Sequence, residues 1–170
     1  MMDIESKCEM TLEKLYQFSK KLLYLGDSIE DSKIEIFEKQ IGYKLPQDYK
    51  YVMTKHNHII LAGTEIYGLS KELKENSLDK IYGFEHFNVE NSMPDFFLPF
   101  SPDGQGNHYC LDLSKLEDQS CPVVFWQWDF DYETFDDVEV CNNNFIEWIE
   151  EVMIEWTLNN YNYDGSEKDN

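Results

Sequence analysis

The amino-acid sequence predicts a fold that combines α-helices with β-strands. Apolar residues recur at helical spacing over residues 3–55, short β-like runs separated by turns follow from Ile59 onward, and helical spacing returns after Asn144. The 170 residues are enough to enclose one hydrophobic core, and they contain no internal repeat and no linker-like stretch. We therefore predict a single domain that covers residues 1–170.

Two amphipathic helices are predicted at the start of the chain. The first covers residues 3–25 and ends at Gly26, because glycine suits the end of a helix. Its apolar stripe consists of Ile4, Cys8, Leu12, Leu15, Phe18 and Leu22. The second begins at Asp27 or Ser28, whose side chains can cap a helix, and ends at Gly42. A short third helix is predicted in "QDYKYVMTKH", with the preceding proline in its first turn.

The middle of the chain carries the predicted strands. They lie near Ile59–Leu61, near Glu65–Leu69, on both sides of a turn at Pro102–Asn107, and in "CPVVFWQWDFDY". Between them, Ser70–Lys80 is a loop or short helix and Ile81–Glu90 is ambiguous. A final helix is capped by Asn143 or Asn144, and its apolar stripe consists of Phe145, Trp148, Ile149, Val152 and Trp156. Residues 160–170 are predicted to be a frayed tail.

The stretch "FWQWDFDYETFDDVEV", Phe125–Val140, mixes aromatic residues with carboxylates and contains no basic residue. Aromatic and polar side chains alternate over its first half, which predicts a strand with one buried aromatic face and one exposed polar face. The predicted buried rings are those of Trp126, Trp128, Phe130 and Tyr132. The predicted exposed carboxylates are those of Asp129, Asp131 and Glu133, continued by Asp136, Asp137 and Glu139. These carboxylates are either an ordinary solvated face or a contact surface for a partner.

Charge is distributed unevenly along the chain. The formal net charge is −20, and all 14 basic residues are lysines. Residues 1–80 contain 12 lysines and 14 acids, whereas residues 81–170 contain 2 lysines and 20 acids, so the two parts carry −2 and −18. This balance argues against direct binding of nucleic acid or of an anionic membrane surface. It suits either solubility alone or the recognition of a cationic partner.

The sequence also predicts a location in the cell. The start, "MMDIESKCEM", lacks a basic region followed by an apolar run, and no stretch of about 18 apolar residues occurs, so we expect neither a secretory signal nor a membrane span. The four cysteines, Cys8, Cys110, Cys121 and Cys141, form no CxxC pair. A chain of this length does not need disulfides, so we expect free thiols and a cytoplasmic location.

Residues with catalytic or metal-binding chemistry do not form a convincing site. His56 and His58 lie where a helix should end, and a zinc site needs three or four ligands. The "DGQGN" turn lacks the lysine and the following helix of a phosphate loop. His108 and Cys110 would share one face of a strand, but no third residue is placed to orient them. We therefore expect no enzymatic activity, no cofactor and no metal.

Five stretches resemble, in their order and spacing, the sequence pattern of the SUKH superfamily. "IEIFEKQIGYKLPQDYKYVM" is similar to its opening helix, glycine and Leu-Pro, and "IYGL" to an early strand. "LPFSPDGQGNHYCLDLS" resembles its central turn and the strand after it, "CPVVFW" its Pro-Val-Val-x-Trp strand, and "NNNFIEWIEEV" its closing helix. The resemblance covers about residues 28–155. One difference is that the family usually has Asn-Gly after the Leu-Pro helix, whereas Asn57 is followed here by His58.

The resemblance implies an α+β domain. Its sheet would be mostly antiparallel, with about five or six strands, and N-terminal helices and a C-terminal helix would pack around it. Residues 1–25 would be an extra N-terminal helix. Bacterial members of the superfamily are commonly immunity proteins that neutralise polymorphic toxins by direct binding, and many of those toxins are nucleases. Fungal relatives act as scaffolds in cell-wall regulation.

We therefore predict an immunity protein that binds a cognate toxin, itself with a basic surface, and that performs no catalysis. The predicted binding residues are Asp129, Asp131, Glu133, Asp136, Asp137 and Glu139. Carboxylates two residues apart in a strand stand roughly 6.5–7 Å from one another, which is similar to the spacing of neighbouring phosphates and would suit the basic groove of a nuclease. The alternative is a non-enzymatic regulatory or scaffold protein of the cell-wall-regulator type.

Overall fold

The computed structural model describes residues 2–169; Met1 and Asn170, the two ends of the predicted domain, lie outside the described residues. The α-helices are α1 Ile4–Tyr16, α2 Asp31–Ile41, α3 Gln47–Lys55, α4 Leu78–Phe87, α5 Phe145–Trp148 and α6 Trp156–Asn160, with a π-helical segment Ile149–Glu155 that joins the last two into one C-terminal helix. The strands are β1 Leu23–Leu25, β2 Ile59–Leu61, β3 Thr64–Ile66, β4 Phe97–Pro102, β5 His108–Asp112, β6 Val123–Trp126 and β7 Glu139–Asn142. Short 3-10 helices cover Lys71–Asn76, Leu113–Lys115 and Phe135–Asp137.

The strands form two antiparallel sheets. One has the order β1-β2-β3 and the other the order β4-β5-β6-β7. The backbone N–H of Tyr67, just after β3, donates to the carbonyl of Phe100 in β4 at 2.9 Å, so the two sheets meet at this point. The predicted α+β class with antiparallel pairing is confirmed, although the described residues form seven strands rather than five or six.

Aromatic packing between the helices and the four-stranded sheet forms the centre of the main core. The ring of Phe100, in β4, lies 4.8 Å from Trp148 and 5.3 Å from Phe145, both in α5. Tyr49, in α3, lies 4.9 Å from Phe145. All four side chains are fully buried, so the C-terminal helix, α3 and the sheet share one hydrophobic cluster.

A buried carboxylate ties α3 to the start of the C-terminal helix. The oxygens of Asp48 accept hydrogen bonds from the backbone N–H groups of Tyr49 at 2.8 Å and Ile146 at 3.4 Å. Burial raises the pKa of Asp48 to about 6, against the opposing effect of these hydrogen bonds. Asn144, one of the two predicted caps, accepts from the N–H of Glu147 at 2.9 Å. The predicted capping of this helix is therefore confirmed at Asn144.

The first predicted helix is too long. It ends at Tyr16, and the chain then turns and forms β1, which pairs with β2. Gly26 follows a strand rather than a helix, and its N–H donates to the carbonyl of His58 at 2.7 Å. A Cβ at position 26 would lie 2.7 Å from the carbonyl oxygen of Asn57, so close backbone approach explains this glycine.

The second helix begins later than predicted and ends where predicted. Glu30 takes the N-cap position instead of Asp27 or Ser28, because the carbonyl of Asp27 accepts from the N–H of Asn57 at 2.8 Å, before the helix starts. Gly42 closes the helix with a φ of 81°, which confirms its predicted role. At the point where the family usually has glycine, His58 itself adopts a φ of 116°.

The end of the chain differs from the predicted frayed tail. Tyr161 and Glu167 pair in a short antiparallel bridge, and the N–H of Ser19 donates to the carbonyl of Tyr163 at 2.7 Å. The ring of Tyr163 lies 4.6 Å from that of Phe18, so this tail packs on the segment after α1. Trp156, predicted as part of the buried stripe of the last helix, is instead 49% exposed.

The four cysteines are free thiols, three of them buried and Cys141 partly exposed. Within residues 2–169, no helix has the length and apolar character that crossing a lipid bilayer would require.

Two glycines, one at the end of a helix and one inside a helix, provide a matched test of the backbone conformation at Gly42. Gly42→Ala should lower the free energy of unfolding by about 1 kcal/mol, because φ is positive there and nothing lies within 4 Å of an added Cβ to compensate. Gly83, inside α4, also has nothing within 4 Å of an added Cβ but lacks the positive φ, so Gly83→Ala should raise that free energy by about 0.5–1 kcal/mol. Urea unfolding measures both changes, and equal effects of the two substitutions would contradict the helix end at Gly42.

Candidate functional site

The acidic stretch leaves the sheet at Trp126. Strand β6 pairs with β5 only as far as His108, which lies opposite Trp126, and with β7 only as far as Glu139, opposite Phe125. Beyond Trp126 neither neighbour offers further backbone partners, so the chain cannot continue as a paired strand. We call residues 127–139 the acidic loop; it ends with the first residue of β7.

The prediction of a strand with a regular carboxylate row is therefore wrong. Trp126 and Tyr132 do face the interior, but Trp128 is 53% and Phe130 is 49% exposed. The exposure predicted for the carboxylates is nevertheless found. All six are exposed side chains on one loop, namely Asp129, Asp131, Glu133, Asp136, Asp137 and Glu139.

The acidic loop packs on the second face of the four-stranded sheet. A cluster separate from the main core lies there, the second cluster, formed by Met93, Phe97, Cys110, Val124, Trp126 and Val138. From the loop, the ring of Tyr132 lies 4.8 Å from that of Trp126, and Val138 is fully covered. The ring of Phe135 lies 6.3 Å from those of Phe97 and Trp126. Apolar contact therefore holds a highly charged loop against the sheet.

Hydrogen bonds fix the start of the loop. The amide nitrogen of Asn91 donates to the carbonyls of Trp128 at 2.7 Å and Phe130 at 3.1 Å. The backbone N–H of Trp128 donates to the side-chain oxygen of Asn107 at 3.2 Å, and its indole N–H donates to the carbonyl of Gln105 at 3.1 Å. These bonds join the loop to the β4–β5 turn and to the segment before β4.

The β4–β5 turn is itself ordered by one carboxylate. Asp103 Oδ1 accepts from the backbone N–H groups of Gln105 at 2.7 Å and Asn107 at 3.0 Å. The predicted turn at Pro102–Asn107 is confirmed, and its two glycines, Gly104 and Gly106, both have positive φ.

Most carboxylates of the loop have no compensating partner. Among residues 2–169, Lys115 is the only cation within 4.0 Å of any of the six, and its ammonium lies 3.9 Å from Asp136. Asp137 accepts a hydrogen bond from the N–H of Thr134 at 3.3 Å. Within the described part of the chain, neither an ion pair nor a hydrogen bond is made by the side chains of Asp129, Asp131, Glu133 and Glu139. The loop thus presents a negative potential that an approaching cation would relieve.

The two histidines considered as metal ligands make other contacts. The ring nitrogens of His56 lie 2.7 Å from the Tyr16 hydroxyl and 3.1 Å from the Gly26 carbonyl. His58 Nε2 lies 2.7 Å from a carboxylate oxygen of Glu65. Across residues 2–169, no three His, Cys, Asp or Glu side chains are grouped as a metal site would require.

His108 and Cys110 share one face of β5 as predicted, but that face is buried. Burial raises the pKa of the Cys110 thiol well above its usual range, whereas a nucleophilic cysteine needs a lowered pKa. Burial likewise lowers the pKa of His108 to about 4, with the charge of Asp103 acting in the opposite direction. The thiol contacts the sulfur of Met93 at 3.9 Å and is packed as an apolar group.

A large cleft lies away from the acidic loop, beside α2. It has a volume of about 1180 Å³ and runs between α2 and the 3-10 helix Lys71–Asn76, and its lining includes no residue of the acidic loop. Its charged groups are of both signs, with four lysines and five acids: Lys33, Lys71, Lys74, Lys80, Asp27, Glu30, Glu72, Glu75 and Asp79. This cleft therefore lacks the single sign of charge that characterises the acidic loop.

Sequence reasoning missed the residues that position the loop. The sequence pattern does not single out Asn91, it places Gln105 and Asn107 only in a turn, and it predicts that Trp128 and Phe130 are buried. The start of the partner strand could have shown that β6 is short. The predicted turn ends at Asn107, so β5 begins at His108, and antiparallel pairing with β5 then ends β6 at Trp126.

The fold and the site together define an α+β domain whose candidate functional surface is an exposed acidic loop. A family model described as SMI1-KNR4 cell-wall, SUKH_6, matches residues 31–149, which lie inside the range of the predicted resemblance. Because the match covers well over half of the chain, the protein belongs to this family of the SUKH superfamily. Domains of this superfamily are generally non-catalytic proteins of immunity or regulation. A search of curated proteins finds no match.

The buried histidine at the start of β5 gives a pH-dependent prediction. His108 faces the Tyr67 hydroxyl at 3.2 Å and Glu85 at 3.9 Å, and its pKa is lowered to about 4. As pH falls from about 6.5 to about 4, the unfolded histidine binds a proton before the folded one does, so stability is lost. Over this pH window the free energy of unfolding of the wild type should fall by up to about 3 kcal/mol more than that of His108→Gln.

Unfolding free energies of both proteins at pH 7 and at pH 4.5 measure this difference. Asp48, whose pKa is raised by its own burial, titrates in both proteins and largely cancels in the comparison. Parallel pH profiles of the two proteins would show that His108 is not buried as a neutral group.

Proposed function

We propose that this chain is an immunity protein that binds and neutralises a cognate toxin through the acidic loop, without chemistry of its own. The toxin would present a basic surface, and a nuclease is the toxin class whose substrate groove fits best. The carboxylates that make the contact are Asp129, Asp131, Glu133, Asp136, Asp137 and Glu139. The protein would act in the cytoplasm, where four free thiols remain reduced.

The uncompensated charge of the loop is the observation that carries this proposal. Four of its carboxylates have no ion-pair or hydrogen-bond partner in the described part of the chain, although residues 1–80 contain 12 lysines. Solubility alone would be served by scattered acids, whereas these six are concentrated on one loop of 13 residues, 127–139. Complementary potentials of this kind speed encounter and select partners.

The way the loop is held supports a binding role. Tyr132, Phe135 and Val138 pack on the second cluster, and Asn91 bonds to the start of the loop. A surface fixed before binding loses less conformational entropy when it docks. The proposed mechanism is therefore occlusion: the loop covers the active site of the toxin, or the substrate surface beside it.

A second candidate function is a regulatory or scaffold protein of the cell-wall-regulator type. The description of the matching family, SMI1-KNR4 cell-wall, favours it. Such a protein would bind several partners and would not be encoded beside a toxin. Sequencing the neighbouring gene separates the two functions, because a large secreted protein with a C-terminal toxin domain supports immunity.

Protection against the toxin is the direct test. Co-expression of this chain with the product of the neighbouring gene should restore growth of a bacterial host. The triple variant Asp129→Lys, Asp131→Lys, Asp136→Lys should lose that protection, because the reversed charges repel a basic surface. Growth and a pull-down of the toxin measure the effect, with circular dichroism to show that the fold is intact.

A matched control uses exposed acids outside the loop. Glu13→Lys, Glu35→Lys, Glu75→Lys changes the net charge by the same amount and should protect as well as the wild type. If the loop variant and the control protect equally, then the acidic loop is only a solvated surface and the proposal fails.

The salt dependence of binding is a second measurable consequence. The rate constant for association with the toxin should fall about tenfold or more as salt rises from low to high concentration, because screening removes long-range attraction. Stopped-flow or surface plasmon resonance at several salt concentrations gives this rate. An association rate that does not change with salt would indicate recognition by contacts other than charge.

A further inference from the structure

Two large aromatic side chains remain exposed at the start of the acidic loop. Trp128 is 53% and Phe130 is 49% exposed, although the second cluster lies directly under the neighbouring part of the loop. Exposed rings of this size are costly to leave in water, and tryptophan in particular is enriched among the residues that dominate binding energy at interfaces.

The position of Trp128 is fixed despite its exposure. Its indole N–H donates to the carbonyl of Gln105, and its backbone N–H donates to Asn107. The ring also lies against Gly106, because a Cβ built on that glycine would be only 2.8 Å from Cδ1 and Nε1 of the indole. Glycine at this position therefore provides the space that the ring occupies.

Phe130 is held in a similar way. Its carbonyl accepts from the amide of Asn91, and its ring lies 4.7 Å from that of Tyr132, which in turn packs on Trp126. Both exposed rings are thus ordered before any partner arrives, which reduces the entropy lost on binding.

The chemistry around the rings selects one kind of ligand. Asp129 lies between the two aromatic residues and Asp131 follows them, and neither carboxylate has a cation within 4.0 Å among residues 2–169. An aromatic face attracts a cation, and a guanidinium can also stack flat on the ring while it bonds to a carboxylate.

We propose that Trp128 and Phe130, with Asp129 and Asp131, form an aromatic anchor that binds an arginine side chain on the basic surface of the partner protein. This inference rests on the proposed function, because it names the contact by which the acidic loop would recognise its partner. The other carboxylates of the loop then supply long-range attraction, whereas the rings supply short-range contact with one arginine. These other carboxylates are Glu133, Asp136, Asp137 and Glu139.

A peptide titration tests the anchor without the toxin. A tetra-arginine peptide is added to the full chain, and the indole N–H signals of the four tryptophans are followed by NMR, with Trp128 assigned from its absence in Trp128→Phe. The Trp128 signal should shift most. Binding should be about two- to fivefold weaker in Trp128→Ala, the range expected for loss of one exposed cation–π contact.

Two glycines of the same turn give a matched pair of variants. Gly104 and Gly106 have φ values of +86° and +93°, so alanine strains the backbone at both positions, but nothing lies within 4 Å of a Cβ on Gly104. Gly106→Ala should displace the indole and weaken peptide binding like Trp128→Ala, whereas Gly104→Ala should bind like the wild type.

The inference is overturned if the Trp128 signal does not move, or if Trp128→Ala and Gly106→Ala bind the peptide as tightly as the wild type. Equal weakening of peptide binding by Gly104→Ala and Gly106→Ala would also overturn it, since the conformation of the turn rather than the position of the Trp128 ring would then determine binding. No toxin is present in this titration, so its outcome is independent of the protection assay that tests the proposed function.

Discussion

The packing of the acidic loop on the second cluster is the interaction on which the candidate site depends. Six like charges on a short loop repel one another, and each exposed pair contributes about 1 kcal/mol or less at close range in water. Burial of a large apolar side chain contributes roughly 1.5–3 kcal/mol, and the loop contributes Val138 fully and Tyr132 in part. Apolar contact therefore opposes the repulsion and holds the loop that carries the carboxylates against the sheet.

This arrangement also explains why many aromatic side chains lie near the four-stranded sheet. One face of the sheet packs on α3 and the C-terminal helix through Phe100 and Trp148, and the other face packs on the acidic loop through Phe97 and Trp126. An antiparallel sheet often leaves one face in water. Here both faces are covered, and the cover of the second face is also the candidate binding surface.

The sequence predicted the class of fold and most helices well, because their apolar spacing and glycine ends are local signals. Gly42 and Asn144 act where the pattern places them. The prediction of a helix over residues 3–25 was wrong at its end. The last apolar residues of that stretch belong to a turn and to β1, and β1 is a strand only because it pairs with β2. A long-range partner of this kind leaves little trace in the local pattern.

For the candidate site, the sequence identified which residues carry the charge but not how they are arranged. The alternation after Trp126 has the period of a strand, yet a strand needs a backbone partner, and β5 starts at His108. The exposed positions of Trp128 and Phe130 depend on Asn91, Gln105 and Asn107, which are distant in sequence. No local pattern contains that information.

The position of Lys115 has a practical consequence for mapping the partner. It is the only lysine between Ile81 and Glu167, its side chain is about half exposed, and it lies beside Asp136. An amine-reactive dye would therefore attach at a single point in this part of the chain, next to the acidic loop. Carbodiimide coupling would in turn join Asp136 to Lys115 within the chain and the other carboxylates of the loop to amines of the bound protein, and mass spectrometry of the joined peptides would reveal the footprint.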